Sequence, residues 1–376
     1  MKLGIVKEPD NEQRVVMLPS HIKKLTTSGN DLLIEKGAGD RAFAFDKDYE
    51  EAGAKTVSRE ELFKEADMIL GIRLPGKKEI DSLKPNQILV FVIDPLTNTE
   101  TVKSLKEKGN TVFSMDIIPR ITRAQDKDIL SSMATVSGYR AVLEAALHLP
   151  RFFPMFMTAA GTIRPAKVLV LGAGVAGLQA IATARRLGAR VEAFDVRSEV
   201  KEQVESLGAK FVEVKGATED KSAGGYAVEQ SEEYKARQRE LVQEHARSSH
   251  VVITTAQIPG RKAPVLITKE TVENMMPGSV IIDLAASSGG NCEVTKNGET
   301  YSHGPVTIVG KSDYPSYMSI DASTMFGNNL LNFLKLLIDS EGKLTLDFDD
   351  EIIRESCVVH QKDIYNKKIK SIIENQ

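Results

Sequence analysis

The run GAGVAG at 172–177 constrains this chain more than any other feature. It follows a short apolar stretch at 167–171 and opens a helical one at 178–187. The next strand-like run ends in Asp195, about 20 residues beyond the glycines. That order suits a strand, a turn and a helix packed as one unit. Gly172 permits the tight turn, Gly174 lets backbone approach a pyrophosphate, and Gly177 allows helix and strand to pack closely. The helix N-terminus then offers unpaired N–H groups and the positive end of its dipole to phosphates. Asp195 would accept hydrogen bonds from ribose hydroxyls and repel a 2′-phosphate. Arg197, two residues on, favours a 2′-phosphate, but the carboxylate at the strand tip outweighs it, so the expected ligand is NAD(H).

The pattern around this unit is α/β. Apolar runs at 3–6, 32–34, 68–70, 88–92 and 111–113 alternate with amphipathic stretches such as 19–25 and 60–66. A second series follows at 168–171, 191–194, 251–254, 279–283 and 306–309. Strands alternating with helices predict two Rossmann-like, doubly wound parallel-sheet domains. A long helical pattern at 131–149, with apolar residues at Val136, Tyr139, Val142, Leu143, Ala146 and Leu147, leaves the first domain, and a second at about 322–338 returns to it. The expected layout is a first domain of residues 1–130 plus 322–376. A dinucleotide-binding domain of residues 131–321 is inserted into it, with a cleft between. Beyond Leu344 the chain is charged and reads as ending in a solvated basic helix. Residues 215–230 (KGATEDKSAGGYAVEQ) lack an apolar period and exceed the usual strand-to-helix connection, so they read as a mobile loop, either a functional lid or a surface insertion.

Composition narrows the function. The formal net charge is −3, from 49 Lys+Arg against 52 Asp+Glu, which gives no basic excess for nucleic acid. The N-terminus shows no signal-peptide pattern. The longest weakly charged stretch, 168–184, is broken by glycines, so no membrane span is expected. Cys292 and Cys357 are too few and too far apart for a zinc site or a disulfide framework, and fit a reducing compartment. The histidines (His21, His148, His245, His250, His303, His360) show no metal-ligand spacing, so no metal is expected. The strongest remaining polar cluster is 120–132 (RITRAQDKDILSS), where the first domain meets the linking helix. It reads either as a charged loop with Asp128 or Ser131 capping the helix, or as Arg120, Gln125, Asp128 and Ser131 gathered about a nicotinamide, whose ring angle governs hydride transfer.

These residues resemble a known family. Residues 120–132, 157–162 (MTAAGT), 172–182 (GAGVAGLQAIA), 195–207 (DVRSEVKEQVESL), 224–227 (GGYA), 258–264 (IPGRKAP) and 289–293 (GGNCE) are similar to the NAD(H)-binding component of proton-translocating nicotinamide nucleotide transhydrogenase, within the alanine dehydrogenase/transhydrogenase superfamily. The resemblance runs from Met1 to about Glu351. It implies a two-domain α/β homodimer that passes hydride from NADH to NADP⁺ held on a separate NADP(H)-binding beta subunit, while a membrane-spanning subunit moves protons. The component would sit on the cytoplasmic, inner face of the membrane through those partners.

The resemblance also implies roles at matching positions. Arg120, Gln125, Asp128 and Ser131 would meet the nicotinamide end, Gln125 nearest the facing ring, with Asp126 and Lys127 beside them. Gly172, Gly174, Val175, Gly177, Asp195, Val196 and Arg197 would hold pyrophosphate and adenosine. The loop 215–230, with Gly225 and Tyr226, would close over the cofactor, and Gln257 would border the adenine. The sequence departs from the family where it has Gln257 for an apolar residue, Gln230 for methionine and Tyr317 for arginine.

Alanine dehydrogenase has the same fold and a similar N-terminus, and is the rival reading. Its chemistry needs a proton-handling group and cations for a carboxylate. Its lysine position holds Arg73, and the stretch of its histidine reads VFVIDP (90–95); Arg14 remains, as a substrate cation or a structural ion pair. Transfer between two nicotinamide rings moves a hydride and no proton, so it needs no such group. A non-catalytic NADH-binding module is the third reading.

Overall fold

A computed structural model describes residues 1–214, 232–258 and 260–375. The chain divides into two compact units, Met1–Met133 with Pro315–Gln376, and Ala134–Tyr314.

In the first unit β1 (Lys2–Ile5), β2 (Asp31–Glu35), β3 (Lys55–Val57), β4 (Met68–Arg73), β5 (Ile88–Val92) and β6 (Thr111–Ser114) form the parallel body of a sheet. The second unit opens with an antiparallel hairpin, β7 (Phe156–Thr158) and β8 (Gly161–Ile163). It continues through β9 (Lys167–Leu171), β10 (Arg190–Phe194), β11 (Lys210–Phe211), β12 (Val251–Thr254), β13 (Val280–Asp283), β14 (Thr300–His303) and β15 (Val306–Val309). The chain then returns to the first unit with β16 (Cys357–His360) and β17 (Asp363–Ile364). The orders are β17-β16-β6-β5-β4-β1-β2-β3 and β11-β10-β9-β12-β13-β15-β14. Among the parallel strands each order reverses once, at β1/β4 and at β9/β12, which makes both sheets doubly wound. Ligands of such sheets bind at the carboxyl ends of the strands beside that reversal.

Both sheets are covered on both faces, so their strands read as nearly continuous apolar runs. Met68 and Leu70 enter one layer of the first unit's core and Ile69 the other. Val168 and Val170, against Leu169 and Leu171, divide the second core in the same way.

The structure corrects three expectations. The chain beyond Leu344 is more than a solvated tail. Helix Glu351–Ser356 buries Ile352 and Ile353, and β16 pairs antiparallel with β6, burying Cys357, Val358 and Val359. Only a short apolar triplet marks this strand, and its partner lies far back in the chain. In the linking helix Ile129–His148 the core takes Val136, Ala141, Val142 and Ala145, and leaves Leu147 76% and Tyr139 37% exposed. Small alanines define the buried face because another helix lies close. A Cβ at Gly138 would stand 2.1 Å from the carbonyl oxygen of Ala176. The glycine-turn helix, Val175–Arg186, begins three residues earlier than the pattern indicated.

Among the described residues no helix is long and apolar enough to cross a membrane.

Candidate functional site

Strand β9 ends at Leu171, and the chain turns through Gly172 with φ of 99°. That angle suits glycine, and a Cβ there would also meet Thr255 Oγ1 at 2.4 Å. Gly177 is fixed by packing, since its Cβ would stand 1.9 Å from the Gly172 carbonyl oxygen. Gly174, the residue before the helix Val175–Arg186, differs: a Cβ there meets nothing within 4 Å. Two glycines thus serve the protein's own packing, while the third leaves room at a helix N-terminus. This arrangement fits a pyrophosphate.

Asp195 follows β10 at the same edge. Its Oδ2 accepts from the N–H of Ala173 at 2.7 Å and from a terminal nitrogen of Arg197 at 3.0 Å. Its Oδ1 accepts from the Arg197 backbone N–H at 2.9 Å and from Nε at 3.0 Å. Burial works to raise the pKa of this carboxyl, but the Arg197 and Ala173 hydrogen bonds prevail and hold it below the ordinary carboxylate range. The Arg197 side chain is 44% exposed.

The loop after β12 forms the other flank. Thr255 donates from its N–H to the Leu171 carbonyl at 2.9 Å, and its hydroxyl lies 3.2 Å from the Gly172 oxygen. Gln257, which departs from the family pattern, donates to the carbonyl of Leu284 at 3.0 Å. Val175, Val196 and Ile258 expose aliphatic side chains after β9, β10 and β12. These aliphatic side chains suit the flat faces of a nucleotide. Thr255 escaped sequence reasoning, and Ile258 entered it only inside the run 258–264, with no role given to it. Their only signal is position, just past a strand that the fold sets beside the glycine turn. Gly225, Tyr226, Gln230 and the loop 215–230 lie outside the described residues.

The polar cluster of 120–132 belongs to the first unit. Residues Thr122–Lys127 form a 3₁₀ turn anchored by buried Ala124. Arg123 pairs with both carboxylate oxygens of Asp350, at 2.6 and 3.0 Å. Buried Lys127 donates to Asp126 at 2.6 Å and to the Arg123 carbonyl at 3.3 Å, and the Asp126 carbonyl accepts from Asn329 at 2.9 Å. These bonds hold the turn from behind, leaving Arg120 and Gln125 exposed. Asp128 caps the linking helix, accepting from the Ser131 N–H at 3.0 Å and its hydroxyl at 2.6 Å. The structure thus groups Asp126 with Lys127 and Asp128 with Ser131. Asp195 and the glycine turn belong to the second unit.

Arg14 and Arg73 both turn to Glu12. Arg14 reaches its carboxylate at 2.6 and 2.7 Å and Arg73 at 3.5 Å. Burial opposes the charge on Glu12, but Arg14 holds its carboxyl below the ordinary range. Glu8 is also buried and accepts from the N–H groups of Ile72, at 2.6 Å, and Arg73, at 2.9 Å. Among the histidines, His245 meets Glu192 at 2.6 Å and His250 accepts from the Lys167 N–H at 2.8 Å. Among the described residues no group of three or more His, Cys, Asp or Glu side chains is placed to hold a metal ion.

Comparison with known proteins gives the family. Residues 4–137 match the family described as alanine dehydrogenase/PNT, N-terminal domain, and residues 141–367 match its C-terminal domain. A protein of Haemophilus influenzae, "NAD(P) transhydrogenase subunit alpha", is 46% identical over 96% of this chain and 70% of its own length. The solved transhydrogenase of Sinorhizobium meliloti superposes with a TM-score of 0.89 at 42% identity, covering 97% of this chain and all of that one. Alanine dehydrogenase of Mycobacterium tuberculosis is 29% identical over 81% of this chain and 77% of its own length.

Proposed function

The chain belongs to the alanine dehydrogenase/PNT family, and from that premise we propose that it acts as the NAD(H)-binding alpha component of a proton-translocating NAD(P)⁺ transhydrogenase. It passes hydride from NADH to NADP⁺ bound on a beta subunit, and a membrane-spanning subunit couples the transfer to proton movement. The component works at the inner face of the membrane, attached through those partners.

The dinucleotide supplies the redox chemistry: the C4–H bond of one ring breaks, its electron pair and hydrogen pass to C4 of the other, and no proton is exchanged. The chain's residues bind, orient and screen. The turn at Gly172, Gly174 and Gly177 and the N-terminus of helix Val175–Arg186 take the pyrophosphate. Asp195 takes the ribose hydroxyls once Arg197 withdraws, and Val175, Val196 and Gln257 flank the adenosine. Gly225 and Tyr226, which lie outside the described residues, are assigned to the same cofactor by the family resemblance alone. Arg120, Gln125, Asp128 and Ser131, with Asp126 and Lys127 behind them, orient the nicotinamide ring through its carboxamide.

The observation that carries this reading over an amino-acid dehydrogenase is the state of Arg14. A metabolite's carboxylate needs an unspent cation, and Arg14 is buried and paired at 2.6 Å with the buried Glu12, while Arg73 stays half exposed at 3.5 Å. A homodimer is part of the same proposal. Every residue of the hairpin Phe156–Thr158 and Gly161–Ile163 is exposed, and Leu147, Phe152 and Met155 expose large apolar side chains nearby in sequence. A lone two-stranded ribbon is marginal in water, and a second copy of the chain would cover it.

The test is reconstitution with an NADP-binding beta component, following hydride transfer between NADH and an NADP⁺ analogue, beside an assay with alanine and NAD⁺. Transfer without alanine turnover supports the proposal; alanine turnover with NAD⁺ alone overturns it.

A further inference from the structure

At the end of β13, Asp283 is fully buried and accepts five hydrogen bonds. The donors are the hydroxyls of Thr254 (2.9 Å) and Thr295 (2.6 Å) and the N–H groups of Ala285 (3.0 Å), Asn291 (2.8 Å) and Cys292 (3.0 Å). A buried carboxylate persists only when its oxygens are satisfied in this way. The bonds fix the turn through Gly289 and Gly290, with φ of 102° and 79°. A Cβ on Gly290 would press to 2.9 Å from Asp283 Oδ2.

That turn delivers one side chain inward. Asn291, also fully buried, accepts from the Ala256 N–H at 3.0 Å and donates to the carbonyls of Ala256 at 2.9 Å and Pro264 at 2.8 Å. Ala256 and Pro264 lie near opposite ends of the loop after β12. Between them come Gln257 and Ile258, and just before them Thr255, which touches the glycine turn.

We propose that Asn291, oriented by Asp283, is a positioning residue for dinucleotide binding: it pins both ends of the loop that walls the glycine turn, so the ligand meets a pre-formed surface. The inference rests on the dinucleotide reading above. Pre-forming a loop removes its ordering cost from the binding equilibrium.

The test compares wild type with Asn291→Ala and Asn291→Asp, using NADH fluorescence titration and amide hydrogen exchange. Leaving the Ala256 and Pro264 groups unpaired is expected to weaken NADH binding about tenfold in Asn291→Ala, with faster exchange at the Ala256 N–H and unchanged circular dichroism. Asn291→Asp sets a carboxylate against two carbonyl oxygens. Its binding is expected to be poor near pH 8 and to recover near pH 6, as the group takes up a proton and regains a donor. A merely structural role would show the same pH dependence in the urea midpoint of Asn291→Asp, whereas positioning shows it in NADH binding by protein that is fully folded at both pH values. Variants that fold and bind NADH within twofold of wild type at both pH values overturn the inference alone. A wild type that binds no NADH overturns the dinucleotide reading and the inference with it.

Discussion

Arg197 lies across the carboxylate of Asp195, donating to both oxygens at 3.0 Å, while the Ala173 N–H takes an inner position at 2.7 Å. With the Arg197 backbone N–H at 2.9 Å, all four acceptor positions of the carboxylate are engaged, including those a ribose would use. Before Asp195 can take ribose hydroxyls, Arg197 must leave it. The bidentate pair joins a half-exposed guanidinium to a carboxylate only 7% exposed, so NADH binding must meet the cost of breaking it. Arg197→Ala should therefore tighten NADH binding, by up to about fivefold by calorimetry, and leave NADPH rejected. NADH binding weakened tenfold would mean that the guanidinium holds the dinucleotide itself.

Gln125 is exposed on a turn braced by Arg123, Asp350, Lys127 and Asn329. Shortening it to Asn leaves the bracing intact and withdraws the amide by one methylene. The expected result is a fall in the hydride-transfer rate larger than the loss of NADH affinity, because alignment matters most in the transition state. Stopped-flow transfer and equilibrium titration give the two numbers, and equal losses would remove Gln125 from that role.

Gly138 is a position where one methyl group should register strongly. Its Cβ would stand 2.1 Å from the backbone oxygen of Ala176, in the first turn of the helix that follows Gly174. Backbone cannot yield as a flexible side chain does, so Gly138→Ala forces the two helices apart at a cost of about 1–3 kcal/mol. Urea unfolding measures this. NADH affinity should fall in the folded variant as well, since the displaced residue belongs to the pyrophosphate turn.

Glu8 gives a pH dependence. Burial pushes its carboxyl up to about 7, against the pull of the Ile72 and Arg73 N–H groups, from an ordinary value of 4.5. Below 4.5 both folded and unfolded chains hold the proton. Between 4.5 and about 7 the unfolded chain releases it and the folded one keeps it, so this group lowers stability as pH rises through that window and adds no further change above it. Glu8→Gln should remove that downward slope. Its amide, facing the Arg73 N–H, adds only an offset independent of pH. Unfolding free energies that track wild type in parallel from pH 4 to 8 would contradict the assignment (about 4 to 8 spans the window).

Much of the fold was legible because parallel strands buried on both faces leave apolar runs that local reading detects, as at 88–92 and 251–254. The glycine turn was legible because Gly172 and Gly177 answer to constraints within a few residues of themselves. What escaped depends on distant chain. β16 carries only a Cys-Val-Val triplet, and its pairing with Phe113 has no local signal. The hairpin Phe156–Ile163 is polar and apolar by turns without a buried face, so no period marks it as a strand pair. Asn291 looks like any turn asparagine until the fold sets Ala256 and Pro264 on either side of it. In the polar cluster, Asp128 and Ser131 proved to be bonded to each other, one of the two readings their spacing allowed.

The return of β16 to the edge of β6 bears on how the protein is made. Residues Ala134–Tyr314 are continuous, so the ribosome releases everything that unit needs in one stretch. The first unit waits: β6 keeps a bare, sticky margin until the last strands emerge to cover it. The inserted half can mature during synthesis, whereas the half whose segments flank it in sequence is completed later.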